Sequence, residues 1–202
     1  MTARYQQLAF TPNVKAEQTA HGSREHYEKY EGAPETPDPI TEAEAAFIAA
    51  RDSIYMATVG ETGWPYLQHR GGPVGFVKVL DRHTLAIADF RGNRQYISIG
   101  NLKSDDRASL FFMDYANKHR LKALAHVKRA NLTEAPELAE KLALPGYRAK
   151  VEHALIFTIA AYEWNCPAHI TPRYSEAEIA PGIQDLHQQI ALLQAEVKRL
   201  QG

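Results

Sequence analysis

Six or seven apolar runs rich in β-branched and aromatic residues follow one another between Ser53 and Trp164, each bounded by turn-forming residues. No other feature narrows the possible folds as far. SIYMATV (53–59), PYLQH (65–69), GFVKVL (75–80) and TLAIADF (84–90) come first, then RASLFFMDY (107–115), RLKALAHVKRANL (120–132) and HALIFTIAAYEW (153–164). Runs of this length and composition predict strands. GETGW (60–64) and Asp81–His83 are short enough to join only antiparallel neighbours, so residues 53–90 are expected to form an antiparallel meander. Helices do not alternate with the strands, as a parallel βαβ sheet requires. The predicted fold is mainly β with short helices, a six- to seven-stranded antiparallel barrel.

Three helices are expected around these strands. TEAEAAFIAAR (41–51) carries Thr41 and Glu44 at capping-box spacing and an apolar face with Phe47 and Ile48. In QYISIGNL (95–102), Tyr96, Ile99 and Leu102 stand at helical spacing, with Asn93 where an N-cap belongs. APELAEKLAL (135–144) is stopped by Pro145 and Gly146. Residues 1–40 are polar, with prolines at 12, 34, 37 and 39 and a helical fragment near Ser23–Tyr30. Such a segment is either disordered or an arm laid over something else, and Tyr27 and Tyr30 favour the arm.

After Pro181 the pattern changes to heptads. Ile183, Ile190 and Val197 hold the a positions, and Leu186, Leu193 and Leu200 the d positions. That distribution suits a parallel two-stranded coiled coil; an amphipathic helix packed on its own barrel fits it equally. The expected organisation is an N-terminal arm over 1–40, a barrel domain over 41–173 and an amphipathic or coiled-coil helix over 181–202.

With 202 residues and a formal net charge of -1, the chain has no global field to recruit nucleic acid or an anionic membrane surface. Any anion site must be local. Cys166 is the one cysteine, which rules out an internal disulfide framework, and no signal-like or membrane-spanning apolar stretch is present. A cytoplasmic protein is expected.

Two turns concentrate the chemistry. H-R-G-G (69–72) presents Arg70 beside Gly71 and Gly72, and F-R-G-N-R-Q (90–95) presents Arg91 and Arg94 around Gly92 and Asn93. Guanidinium groups beside glycine-opened backbone suit phosphate oxygens, whereas two solvated hairpin turns explain the same residues without a ligand. Among the nine histidines, none forms an H-x-x-H or H-x-x-x-H pair with a third ligand, so no metal site is expected. Cys166-Pro-Ala-His169 has ligand-like spacing but no partner cysteines. Asp89 and Asp114 end apolar strands, and Trp164 with Asn165 could stack a planar ring at the end of the last one. No nucleophile elbow, Walker loop or paired carboxylates occur, and no catalytic residue is named.

Four of these stretches together, ATVGETGWPYLQHRGGPVGF, LAIADFRGNRQYISIGNL, RASLFFMDY and WNCPAHITPR, resemble the flavin-nucleotide-binding proteins of the pyridoxamine 5'-phosphate oxidase-like superfamily. The resemblance covers about 53–173. It implies an FMN-binding split β-barrel that works as a homodimer with flavin at the subunit interface and acts on a small molecule. Arg70 and Lys78 then match basic strand positions that hold the flavin phosphate, and Asn93 and Arg94 match the polar and basic turn. His69, Asp89, Arg91, Gln95 and Asn101 follow as further cofactor-site residues, with Trp164 and Asn165 approaching from the other subunit. Where pyridoxamine phosphate oxidases end in a tryptophan-and-arginine segment that holds the substrate phosphate, this chain ends in WNCPAHITPR and a heptad helix. Pyridoxamine phosphate is therefore not the expected substrate. The resemblance implies an FMN-dependent oxidoreductase first, and a non-catalytic flavin, haem or deazaflavin carrier or sensor second.

Overall fold

The computed structural model describes residues 2–29, 31–164 and 167–201. It divides into two compact units, residues 1–113 with 119–166, and residues 114–118 with 167–202.

Seven strands form one antiparallel sheet: β1 (Ser53–Val59), β2 (Pro65–Gly71), β3 (Lys78–Asp81), β4 (Thr84–Phe90), β5 (Arg107–Asp114), β6 (His119–Ala130) and β7 (Val151–Trp164). Their order is β2-β1-β5-β6-β7-β4-β3. β1 and β2 make one hairpin, closed where the Gly60 N–H donates to the Trp64 carbonyl (3.0 Å). β3 and β4 make another, where the His83 N–H donates to Asp81 Oδ1 (2.7 Å). The expected meander is therefore wrong in its middle: β2 and β3 are consecutive in the chain yet lie at opposite ends of the sheet.

The reason lies in residues 72–76. The Gly72 N–H donates to the Asp52 carbonyl (2.9 Å) and the Gly75 N–H to the Arg51 carbonyl (3.2 Å), so this segment turns back over the start of β1 instead of pairing onward. A Cβ on Gly72 would lie 2.8 Å from Cβ of Phe76, closer than carbon atoms pack, so the turn needs glycine there. The sheet also curls. Arg70 on β2, first in strand order, forms an ion pair with Asp89 on β4, sixth in order, which only a barrel-like closure permits.

Alternation decides what fills the barrel. In β5 every second residue is buried, among them Leu110 and Phe112. Ile54, Met56, Leu85, Ile87, Leu121, Phe157 and Ile159 join them. A fully buried side chain of this kind contributes about 1.5–3 kcal/mol. β4 breaks the alternation with five consecutive buried residues, because its other face carries a second cluster of Ala86, Ala88, Ala154 and Leu142.

Among the described residues, four helices precede β1. In α4 (Glu42–Ala49) the expected capping box is present, the Thr41 N–H donating to Glu44 Oε2 (3.0 Å), and Ile48 is buried in the core. The first three, α1 (Ala3–Ala9), α2 (Pro12–Ala20) and α3 (Arg24–Glu28), form the arm. Thr2 caps α1, and its hydroxyl lies 2.5 Å from an Asp38 carboxylate oxygen and 2.7 Å from the Tyr162 carbonyl on β7. α1 thus lies along the last strand, and within the arm Tyr27 packs edge-on to Phe10 (5.2 Å). Tyr30 is outside the described residues.

After β4 come α5 (Ile97–Ser104) and, between β6 and β7, α6 (Pro136–Lys141), both close to the expected positions. In the second unit, Asp114 accepts the Asn117 N–H (3.0 Å) as a turn residue, and α7 spans Glu176–Gln201. It begins five residues before Pro181 because Ser175 and Glu178 form a capping box: the Ser175 N–H donates to Glu178 Oε2 (2.7 Å) and the Glu178 N–H to Ser175 Oγ (3.3 Å). Among the described residues no helix is long and apolar enough to cross a membrane.

Candidate cofactor cleft

Period-two geometry on β2 sends Tyr66, Gln68 and Arg70 to one face and Leu67 and His69 to the other. The first face meets the 90–99 segment in a cleft of about 210 Å³, lined by Arg70 and Asp89 and by Asn93 to Ile99, with Glu152 on its wall.

Arg70 is half of a nearly buried ion pair: its side chain is 11% exposed and that of Asp89 9%. Its second terminal nitrogen donates to Gln68 Oε1 (3.2 Å), which also accepts from Ser98 Oγ (2.7 Å). Asp89 Oδ2 lies 3.4 Å from His153 Nε2. Neither Arg70 Nε nor His153 Nε2 makes a hydrogen bond, although both are buried. Buried polar atoms of this kind are normally satisfied, so the Arg70 Nε–H is unused hydrogen-bonding capacity at the cleft.

The turn itself is strained. Arg94 (φ 63°) and Tyr96 (φ 55°) both adopt the left-handed region without being glycine. Asn93 is not the N-cap expected from the sequence. Its Oδ1 accepts the Gln95 N–H (3.1 Å) in a local turn, and the helix begins only at Ile97, after Tyr96, with no side-chain cap. The first N–H groups of α5 therefore lack a capping side chain beside the cleft. Arg94 Nε donates to the Tyr96 hydroxyl (3.4 Å), an interaction that raises the guanidinium pKa further, and its terminal nitrogens have no partner among the described residues. Tyr96 in turn donates to Glu152 (3.2 Å).

The expected site residues divide clearly on this geometry. Arg70, Asp89, Asn93, Arg94 and Gln95 line one cleft. Arg91 faces the neighbouring groove with Lys103, Arg129 and Lys150, its Nε 2.8 Å from Glu152, and holds that carboxyl below its usual range against the opposing effect of burial. His69 lies on the opposite face of β2, its ring edge-on to Tyr55 at 5.5 Å. Lys78 starts the edge strand β3, opposite Ala86. Asn101 donates to Thr58 Oγ1 (3.0 Å), joining α5 to β1.

Trp164 packs on Phe47 (4.7 Å) and donates from Nε1 to Glu44 Oε1 (2.6 Å), so within this chain it locks α4 to β7. Burial pushes the Glu44 carboxyl up, and hydrogen bonds from Thr41 and Trp164 outweigh it, leaving the pKa lowered. Burial and the nearby Glu44 carboxylate push the Tyr162 hydroxyl up to about 12. Asn165 and Cys166 are outside the described residues. Gln68, Ser98 and Glu152 were missed by sequence reasoning. For Gln68 the signal was available, since it stands two residues before Arg70 on the same strand face. Among the described residues no group of three or more His, Cys, Asp or Glu is placed to hold a metal ion.

The family model for pyridoxamine 5'-phosphate oxidase matches residues 40–164, from the approach to α4 through the last residue of β7. This chain belongs to that family. The curled seven-strand sheet is the family's split barrel. Its structural relatives include HupZ from Group A Streptococcus, 14% identical over 67% of this chain and 99% of that one (TM-score 0.47). A putative pyridoxamine 5'-phosphate oxidase from Lactobacillus delbrueckii is 18% identical over 62% of this chain and 94% of that one (TM-score 0.47). An FMN-binding protein from Syntrophomonas wolfei is 16% identical over 76% and 95% (TM-score 0.44). No curated protein sequence matches this one.

Proposed function

We propose that this chain is an FMN-binding flavoprotein and a small-molecule oxidoreductase, working in the cytoplasm as a homodimer with flavin at the subunit interface. The observation that carries the reading is the turn before α5. A guanidinium with unpartnered terminal nitrogens, two left-handed residues and an uncapped helix start converge on one cleft. This combination suits a phosphate: helix N–H groups and a permanently charged fork meet anionic oxygens.

The residues fit the cofactor that family membership implies. Arg94, Asn93 and Gln95 with the first turn of α5 would hold the FMN phosphate. Arg70, already neutralised by Asp89, would act by donating its unused Nε–H rather than by adding charge. Gln68 is oriented from both sides by Arg70 and Ser98 and would offer its amide N–H₂ to a polar ring edge. Bound FMN would supply hydride or electron-pair acceptance at its ring; the chain supplies orientation and electrostatics.

A cleft of about 210 Å³ is smaller than the roughly 300–1,000 Å³ typical of cofactor sites. One chain would cover only part of FMN, which supports a second copy completing the site.

Gentle purification should give a yellow protein whose released ligand has the mass of FMN. A colourless protein with no measurable affinity for added FMN overturns the proposal. Stopped-flow mixing with NADH or NADPH then separates enzyme from carrier: rapid bleaching followed by turnover with an acceptor is expected. Bleaching no faster than that of free FMN would favour the carrier.

A further inference from the structure

We propose that α7 forms a parallel, in-register, two-stranded coiled coil with α7 of a second copy of this chain. Ile183, Leu186, Ile190, Leu193, Val197 and Leu200 make one stripe on a single helix, and all six are 44–70% exposed. An apolar stripe of this length left in water is unfavourable, and pairing with a like stripe removes it.

The side chains themselves name the occupant. β-Branched residues at every a position and leucine at every d position suit knobs-into-holes packing of two parallel strands, whereas the reverse distribution favours larger bundles. In the parallel register the flanking g and e positions set Gln189 against Gln194 and Glu196 against Gln201, so no like charges meet. Lys198 and Arg199 lie at b and c, outside the seam, and Arg199 is already paired with Glu196 (Nε to Oε2, 2.8 Å). Pro181 precedes the first heptad, and its missing N–H and its ring both act on the Ala177 carbonyl one turn before the seam, so the heptads that follow are left intact. The pairing does not depend on the flavin reading.

Cysteine cross-linking of the full chain tests it. In a Cys166→Ser background, Leu186→Cys and Leu193→Cys (d positions) are compared with Ala191→Cys and Ala195→Cys (b and f positions) under oxidised glutathione. The parallel seam brings like d residues within disulfide reach, so covalent dimers should form at least ten times faster there than at b or f. An antiparallel pair would separate the two copies of residue 186 by roughly 16 Å along the axis. Leu186→Cys chains would then link only to Val197→Cys chains. That result, or equal rates at d, b and f, overturns the proposal. As a second measurement, Ile190→Asp in the native chain should lower the helical circular dichroism while the sheet still melts cooperatively. An unchanged helical signal would also overturn it.

Discussion

Replacing Asp89 by asparagine should destabilise the barrel more than any other polar change in the cleft. The substitution nearly preserves the side chain's shape but removes the charge that neutralises Arg70, and both side chains are about nine-tenths buried. Arg70 stays fully charged, and its partners become neutral acceptors, the amide oxygen at position 89 and Gln68 Oε1. Breaking one side of a buried pair typically costs about 3–5 kcal/mol, because the remaining charge is left without compensation. The cleft admits water on one side, so the lower end, about 3 kcal/mol, is expected here. For a chain of 202 residues that corresponds to a fall in Tm of roughly 6–12 °C.

The assay is urea or thermal unfolding of the ligand-free protein, run with Arg70→Met and with the double variant as a mutant cycle. Arg70→Met should also destabilise, and the double variant should be less destabilised than the sum of the two, since neither charge is then stranded. A cost below 1 kcal/mol for Asp89→Asn, or strictly additive single effects, would show that β2 and β4 are not held by this pair. The inferred closure of the sheet would then lose its strongest support.

Other variants probe the cleft and the segments that support it. Arg94→Ala should weaken FMN binding by about 10- to 100-fold in fluorescence titration, as expected for loss of a charged phosphate contact; unchanged affinity would place the phosphate elsewhere. Gly72→Ala forces a methyl to within 2.8 Å of Phe76, and overpacking of this kind costs about 1–3 kcal/mol by denaturant unfolding; a neutral result would mean the 72–76 turn is free to shift. Glu44 has a lowered folded pKa, so it contributes stability above its unfolded value of about 4.3 that is lost as pH falls through the folded value. Glu44→Gln should therefore flatten the fall in stability below about pH 5, and identical acid profiles would refute the assignment.

Secondary structure was legible because it depends on short-range pattern. β-Branched and aromatic runs marked β1, β4 and β5, the Thr41–Glu44 spacing marked α4, and the basic turns flanking β3 and β4 supply Arg70 and Asn93 to Gln95 to one cleft. Two short arm helices escaped notice, although Thr2 and Thr11–Pro12 carry start signals, because each is under ten residues and shows no apolar periodicity of its own. The misplaced N-cap at Asn93 has a similar origin. Its side chain competes for the Gln95 N–H, and two left-handed residues delay the helix to Ile97.

By itself, then, the sequence determined a mainly antiparallel β chain with a basic turn before a short helix and a heptad tail, since periodicity and turn chemistry act over a few residues. Only the tertiary structure decided that β2 and β3 part company at Gly72, that the curled sheet returns Arg70 to Asp89, and that His69, Lys78, Asn101 and Trp164 lie outside the cleft. Those outcomes turn on which strand face a side chain occupies and which distant backbone groups accept the 72–75 hydrogen bonds. Both are set by packing between segments far apart in the chain, and local pattern does not record it.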